Sequence, residues 1–504
     1  MRQEQVTART IRGWLVLPAI LVSLIAISGC VDVNEEVSQR PSELWRPPPA
    51  ALRDTPKTNN PGTDVVDFVA GQDPYYTTAG GSYAGSPVAA VGLPKMDLPG
   101  LVDIALSNNP VTRSQWFLAR ARASQYGQSL SEYYPWITVS ATVEREKTKN
   151  LSAVGTNWNT QYGPSLDLNW LLFNFGAREA TASAAREALF SANFTYNQFY
   201  QDLVRDVLQE YYTLWAAEAN LEASRTALKN AEATYDAAQK RLDSGLGNKQ
   251  DALRALADVK TAETQIEKDI AAIEESRADL ATVLGIEVSS QLQIEHPEEF
   301  PEFDSLDSDV SRLMAEAMQN RPNLLSSYAD VRETEYNLDA ARAELWPEIN
   351  ATLSMDYREI TGSNASPVND YVAGLTLEWD IFQGFNKWYE IDRRRDLARR
   401  AQQDARLSEL QVLKQVWTAY FGYRSALRQV ESASAALDAQ QEAYDAIAIG
   451  YQTGINSLLD ILTSQEDLDD SRRDLIEART NLGTSIADLA RATGNLPILT
   501  RGQR

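Results

Sequence analysis

The sequence predicts a mainly α-helical chain carrying a few membrane-type β-strands, built as a helix–β-hairpin–helix unit repeated twice. Three observations predict it. First, Asn109-Pro110 returns as Arg321-Pro322 and Tyr134-Pro135 as Trp346-Pro347, each 212 positions later. Trp170, Phe173, Gly245 and Asp251 return as Trp379, Phe382, Gly454 and Asp460, and Ala278 to Ala281 as Ala487 to Ala490, each 209 positions later. A unit duplicated in register gives one architecture built twice. Second, residues 177–244 and 386–453 hold no proline and are rich in Ala, Leu, Glu, Gln, Lys and Arg, the composition of long helices and coiled coils. Third, four segments switch to strict period-two alternation, the mark of strands with one apolar face.

From the N-terminus, Arg2, Arg9 and Arg12 precede an apolar run from Trp14 to Ile27. This is the charged and apolar sequence of a secretory signal, and the run is shorter than the roughly 20 residues a membrane-crossing helix needs. Ile27-Ser28-Gly29-Cys30 resembles a bacterial lipobox, so residues 1–29 read as a signal peptide. On that resemblance Cys30, the only cysteine of the chain, would become a fatty-acylated, palmitate-bearing N-terminus; an ordinary cleavage site with an incidental cysteine is the other reading. Each buried CH₂ of an acyl chain contributes about 0.8 kcal/mol of membrane affinity, so more than one chain anchors firmly. Val31 stands where an Asp commonly retains such proteins at the inner membrane. The predicted destination is therefore the outer membrane.

Residues 30–95 read as a lipidated tether rich in Pro and Gly, with Pro47-Pro48-Pro49, Asn59-Asn60-Pro61-Gly62 and Gly80-Gly81. Such composition buries too little apolar area to offset ordering entropy, which predicts irregular chain. A small patch around Tyr75, Tyr76 and Tyr83 is the one local candidate for order.

The first repeat covers 96–285 and the second 312–496, with a connector at 286–311 and a tail at 497–504. Each opens with a short helix ending near Pro110 or Pro322, then a helix of about 25 residues. Strands follow at about 136–145 and 162–173, and at about 348–358 and 371–382. Ile137, Val139, Ala141 and Val143 alternate with polar neighbours, as do Leu166, Leu168 and Trp170, Ile349, Leu353 and Met355, and Ala373, Leu375 and Leu377. The long helix then spans roughly 100 Å at 1.5 Å per residue. A glycine (Gly245 or Gly454) marks the turn, and a second helix of about 37 residues returns. Ile266, Ile270, Ile273, Leu280 and Leu284 give that helix a coiled-coil seam. The two shorter helices together nearly match the long one, so they fit end to end beside it.

Strands of about ten residues have the length of membrane-spanning strands. Four cannot seal themselves in lipid, because edge N–H and C=O groups would be left unpaired in hydrocarbon. Closed single-chain barrels start at about eight strands, so several copies must contribute: two supply eight, three supply twelve. Trp136, Tyr162, Trp170, Tyr357, Tyr371 and Trp379 lie at strand ends, as interfacial girdles require. Asp167, Asn169, Thr376 and Glu378 would then face a wet lumen. A soluble sandwich or two small sheets on helices is the other arrangement these strands permit; the signal peptide and lipobox weigh against it.

With these features in hand, the chain resembles the TolC-like outer membrane factor family over about residues 96–496. Beside the duplication, two turn motifs carry the resemblance: Arg241-Leu242-Asp243-Ser244-Gly245-Leu246-Gly247 through Asp251-Ala252-Leu253, and Tyr451-Gln452-Thr453-Gly454-Ile455-Asn456 through Asp460-Ile461-Leu462. The resemblance implies a homotrimer with a 12-stranded barrel in the outer membrane and a 12-helix tunnel across the periplasm. It implies a passive exit duct of a tripartite efflux pump or type I secretion system, coupled to a periplasmic adaptor protein and an inner-membrane transporter. It also implies that the turn end closes the tunnel and meets the adaptor. Gly245, Leu246, Asp251, Leu253, Gly454, Ile455 and Leu462 are its candidate contacts. Asp460, six residues after the second turn glycine, corresponds to a constricting carboxylate ring, and Tyr451 is a second candidate gate residue. Read physically, Asp460 is equally a helix-start Asp favoured by the N-terminal dipole. The chain departs from the family pattern at Thr463, where a second carboxylate ring is expected, and at Asn456, where an Arg is expected.

Catalytic chemistry finds no residues to carry it. The one His, His296, sits beside Pro297 in the connector, which excludes His triads and His-based metal sites. No phosphate-binding or dinucleotide-binding glycine motif is present, and no cofactor is implied. The net charge of −23 excludes a nucleic-acid partner, since phosphate binding needs an excess of Lys and Arg. Two non-enzymatic readings remain: the export duct, and a periplasmic coiled-coil lipoprotein serving as envelope scaffold or spacer. A wide polar duct filters little by chemistry, so drugs, metals, siderophores and secreted proteins all fit it as cargo.

Overall fold

A computed structural model describes residues 36–47, 95–149, 156–288, 293–295, 310–361 and 367–494. Cys30, the signal segment, the Tyr75–Tyr83 patch, His296 and the 497–504 tail lie outside the described residues. Helices α1 (Leu98–Asn108) and α2 (Pro110–Leu130) lead into strands β1 (Trp136–Lys149) and β2 (Thr156–Phe173), then α3 (Ala177–Asp243) and α4 (Lys249–Leu284). The second copy repeats this as α5 (Val310–Asn320), α6 (Pro322–Ala343), β3 (Glu348–Thr361), β4 (Val368–Glu378), α7 (Asn386–Thr453) and α8 (Leu458–Thr493).

Proline starts both α2 and α6 because its missing N–H falls where a helix has no acceptor for it. Asn109 caps α2 by accepting from Val111 N and Thr112 N, and its amide donates to Val283 O at 2.8 Å. In the second copy Arg321 fills that place and donates to Arg491 O at 2.7 Å. These bonds join the end of α1 to the end of α4, and α5 to α8. Gly285 completes the first junction: it sits at φ +69° and a Cβ there would lie 2.8 Å from Asn108 O. The shorter helices consequently stack end to end along the long ones. The α2 and α4 helices both pack on α3, and α6 and α8 both contact α7. Because α3 also packs on α6 and α8, the helices form one ribbon.

The apolar cores repeat with the sequence. Leu101, Leu203, Val207, Tyr211, Leu214 and Leu280 are buried in one, and Leu313, Val412, Val416, Tyr420, Tyr423 and Leu489 in the other. The predicted α4 seam needs one correction. Ile273, Leu280 and Leu284 are buried, but Ile270 is 41% exposed and Asp269 takes the inward position beside it. Asp269 can be buried because Ser224 Oγ donates to it at 2.5 Å and Gln265 Nε2 at 2.8 Å.

The four strands make one antiparallel sheet in chain order, leaving β1 and β4 as its edges. Register aligns Ile137, Leu168, Leu353 and Ala373 across it, and Val139, Leu166, Met355 and Tyr371 in the adjacent row. The opposite face joins Ser140 to Ser165 at 2.6 Å, and Ser354 to Asp356 at 2.9 Å. Trp136, at the start of β1, pairs with Asn169 and so belongs to this polar face. Strand limits differ as well. The β2 strand begins at Thr156 rather than near 162, although Pro164 lacks an N–H, because its pairing with β1 runs unbroken past that proline. The β1 and β3 strands run on to Lys149 and Thr361, since their partners extend equally far. The β4 strand ends at Glu378 rather than near 382. Its partner β3 begins at Glu348, opposite Glu378, so the apolar residues beyond Glu378 have no ladder to join.

The tether expectation is also corrected in part. Residues 36–47 are irregular, yet they dock on the helices, with Val37 and Trp45 each only 5% exposed.

Candidate gate and turn surface at the helix tips

The sheet and the helix turns lie at opposite ends of the ribbon, so the turns form the end distant from the apolar sheet. The α7–α8 turn is closed by Gly454 at φ +83°, a left-handed conformation in which a side chain is strained. Ile455 N and Asn456 N both donate to Gly450 O, at 2.8 and 3.1 Å. Ser457 then caps α8 in a reciprocal box. Its backbone N–H and hydroxyl each donate to Asp460 Oδ2 at 2.8 Å, and Asp460 N donates back to Ser457 Oγ at 3.3 Å. Those two donors hold the Asp460 carboxyl below the usual carboxylate range. Asp460 is thus an ionised, exposed capping residue within its own chain.

The α3–α4 turn is built alike. Gly245 has φ +75°, and Leu246 N and Gly247 N donate to Arg241 O at 2.9 and 2.8 Å. Asn248 caps α4, accepting from Asp251 N at 2.7 Å and donating to Asp251 Oδ2 at 2.8 Å. Asp251 and Asp460 therefore do the same local work, 209 positions apart.

Around these caps, Leu246 and Ile455 project almost fully, at 77% and 84% exposure. Leu253 is exposed too, as is Leu459, which sequence reasoning did not single out. Leu462 differs: it is half-buried and packs against the core of Tyr444, Tyr451, Leu458, Ile461 and Leu468. Tyr451 is buried in that core, and burial raises its hydroxyl pKa.

One residue that the sequence reading left without a role ties the two hairpins together. Arg241, on α3, donates through Nη1 to Tyr451 O at 2.6 Å and lays its guanidinium 5.0 Å from the Tyr451 ring centre. Its only signal in the sequence was its place in the first turn motif. Further from the tip, Gln465 on α8 donates to Asp258 Oδ2 at 3.2 Å, and Arg473 donates to Ser224 Oγ at 3.1 Å. Asp469 pairs with Arg472 at 3.1 Å, yet burial pushes its carboxyl up to about 6. Polar links thus run along the whole contact between the first and second hairpins.

The described residues hold no group of three or more His, Cys, Asp or Glu suited to a metal ion. No described helix is long and apolar enough to cross a membrane. The apolar face belongs to the sheet instead. The family described as "Outer membrane efflux protein" matches residues 101–286 and 313–495, one block per repeat.

The chain belongs to the outer membrane efflux protein family. It is a TolC-like channel protein of the bacterial outer membrane with a periplasmic extension, and not an enzyme. It is 25% identical over 413 residues to Protein CyaE of Bordetella pertussis, covering 81% of this chain and 86% of that one. It is 24% identical over 380 residues to the probable outer membrane lipoprotein SilC of Salmonella typhimurium, covering 73% and 79%. Its fold matches the CmeC outer membrane channel of Campylobacter jejuni with a TM-score of 0.71 at 18% identity, over 79% of this chain and 85% of that one. Channels of this family work as trimers with adaptors and inner-membrane transporters.

Proposed function

We propose that three copies of this chain form a lipid-anchored exit duct, pooling twelve strands into one barrel and twelve helix-lengths into one tunnel. The observation that carries this reading is the sheet itself: an apolar face continuous across four strands, ending in two unpaired edges. Edge N–H and C=O groups cost several kcal/mol each in hydrocarbon, and pairing β4 of one copy with β1 of the next removes the cost. The exposed face of α7 supports the same joint. Leu410, Trp417 and Phe421 lie on it at heptad-like spacing, with Trp417 and Phe421 in ring contact at 4.7 Å.

At the far end, Asp460 of three copies would stand around the tunnel axis, and Arg241 with Tyr451 would hold each hairpin pair closed. Leu246 and Ile455, apolar and exposed on symmetry-related turns, suit the helical hairpins of a periplasmic adaptor that links the duct to an inner-membrane transporter. Cys30 carries the acyl anchor in this reading, and the relative named as a lipoprotein supports it.

The test is a doubly charged tip. Leu246→Asp with Ile455→Asp is expected to abolish export in the native host while leaving trimers intact and correctly sorted. Export at the wild-type level with both charges in place would remove the turns from the adaptor interface.

A further inference from the structure

The alternation of β1 continues past its apolar residues. Ile137, Val139, Ala141 and Val143 occupy one face, and the next two residues of that face are Arg145 and Lys147. The partner strand extends the same face with Tyr162, opposite Val143, and Trp158, opposite Lys147. Glu144 and Glu146 fall on the polar face instead, opposite Gln161 and Asn159. Two cations and an indole thus stand on the side that carries apolar residues nearer the helices. Arg145 Cζ lies 5.0 Å and Lys147 Nζ 5.1 Å from the centre of the Trp158 ring, and all three side chains are exposed.

Charge and height set this spot apart. On the polar face of the second hairpin, Arg358 is held by Asp370 at 2.5 Å. On the face of Arg145 and Lys147 the carboxylate among the described residues is Glu359, opposite Tyr162. It lies two strands from Arg145, roughly 10 Å at the usual strand spacing. Lys147 stands ten residues beyond Ile137, about 34 Å along the strand and about 26 Å in height at a tilt of about 40°. The apolar band of an outer-membrane barrel is about 25 Å tall, so the cations stand at its far edge. That edge is the exterior one, because the helices leave from the other end of the strands. A lipid-facing cation is costly at the midplane and nearly free there, and both long stems reach toward the head groups. The second copy has Tyr357 and Glu359 at the matching positions, 212 residues on. The cationic spot therefore belongs to the first hairpin.

We propose that Arg145, Lys147 and Trp158 form a site on the outer wall of the barrel for the phosphate of a glycolipid in the outer leaflet. The guanidinium offers two parallel N–H donors to phosphate oxygens, and the ammonium adds a compact second charge. The indole supplies an amphipathic plate where head group meets acyl chain. A barrel of three copies carries three such sites, one per first hairpin. The site rests on the reading of the sheet as the wall of a shared barrel, and the mass of the assembly and its retention of lipid report on the two separately.

The test is native mass spectrometry of the full-length channel, stripped of lipid in detergent and titrated with bisphosphorylated lipid A, with the same lipid lacking its phosphates, and with inorganic phosphate. The wild type is expected to retain the bisphosphorylated lipid and to prefer it over the phosphate-free form. Arg145→Gln with Lys147→Gln, both at exposed positions, is expected to weaken that binding at least about tenfold while the assembly keeps its mass. Arg358→Gln removes a cation from the polar face and is expected to leave binding unchanged. Undiminished binding by the double variant, equal loss in Arg358→Gln, equal retention of the phosphate-free lipid, or displacement by equimolar inorganic phosphate overturns the site; a three-chain mass in the same spectra leaves the duct standing. A single-chain mass overturns the barrel, and the site with it.

Discussion

At the residue scale, the observed cap and the proposed carboxylate ring at Asp460 separate experimentally. As the partner of Ser457 it caps α8, and its loss should loosen the first turn of that helix. As one of three carboxylates around an axis it should attract cations and raise block by divalents. Asp460→Ala is expected to weaken divalent block of single-channel current, and the first turn of α8 should exchange faster. Unchanged block with faster exchange would leave only the cap. Arg241→Gln is expected to lengthen channel openings in planar bilayers, because it removes both the charged bond to Tyr451 O and the ring contact; closed times equal to wild type would contradict the lock. Asp469 gives a pH signature. Burial raises its pKa to about 6, countered by Arg472 and Arg473 and assisted by Asp258. The folded state therefore prefers the protonated acid, so its contribution is fully present below the unfolded carboxylate range and lost as pH rises through about 6. Asp469→Asn should stabilise the protein by about 1–2 kcal/mol near neutral pH after allowance for solvent screening. That gain should shrink as pH falls toward 4 in thermal melts across pH.

At the scale of elements, the close approach of α8 to α3 sets how the two hairpins sit. Gly483 makes room for it: a Cβ there would lie 2.7 Å from the Tyr212 ring, deep in the apolar core. Gly483→Val is expected to cost about 1–3 kcal/mol by overpacking, and Tyr212→Leu should recover part of that loss in a double-mutant comparison of melting temperatures. Helices and turns were legible from sequence because prolines and glycines punctuate them and the duplication checks each limit twice. Other features were not. The inward position of Asp269 depends on Ser224, 45 residues earlier on another helix, and periodicity read along one helix favours Ile270. The early end of β4 follows from its register against β3, whose first residue, Glu348, stands opposite Glu378, and alternation along one strand cannot reveal register. The docking of residues 36–47 was invisible because Asn193, Phe194 and Tyr196 lie far away in sequence on α3, and composition near residue 40 records none of them. Arg241 stood in plain view within the turn motif. Only the fold shows that its partner is a carbonyl of the second repeat.

At the scale of the whole molecule, duplication solves a closure problem by halves. Each repeat supplies one hairpin of the sheet and one pair of long helices, and the ribbon they form is still open at both edges. The polar rows of Ser140, Ser165, Ser354 and Asp356 line one face while leucines and aromatics cover the other, so rolling the sheet places water within and lipid without. Acidic excess, −23 over the chain, then favours cations in the lumen, and reversal potentials across a salt gradient are expected to show cation preference at neutral pH. Every part of this picture requires copies of the chain to share one cylinder. Native mass spectrometry of the channel released intact from outer membranes, with a cysteine pair bridging β1 of one copy to β4 of the next, addresses that requirement most directly. The account predicts a mass of three chains and a covalent trimer on oxidation. A single-chain mass with no intermolecular bridge would contradict it.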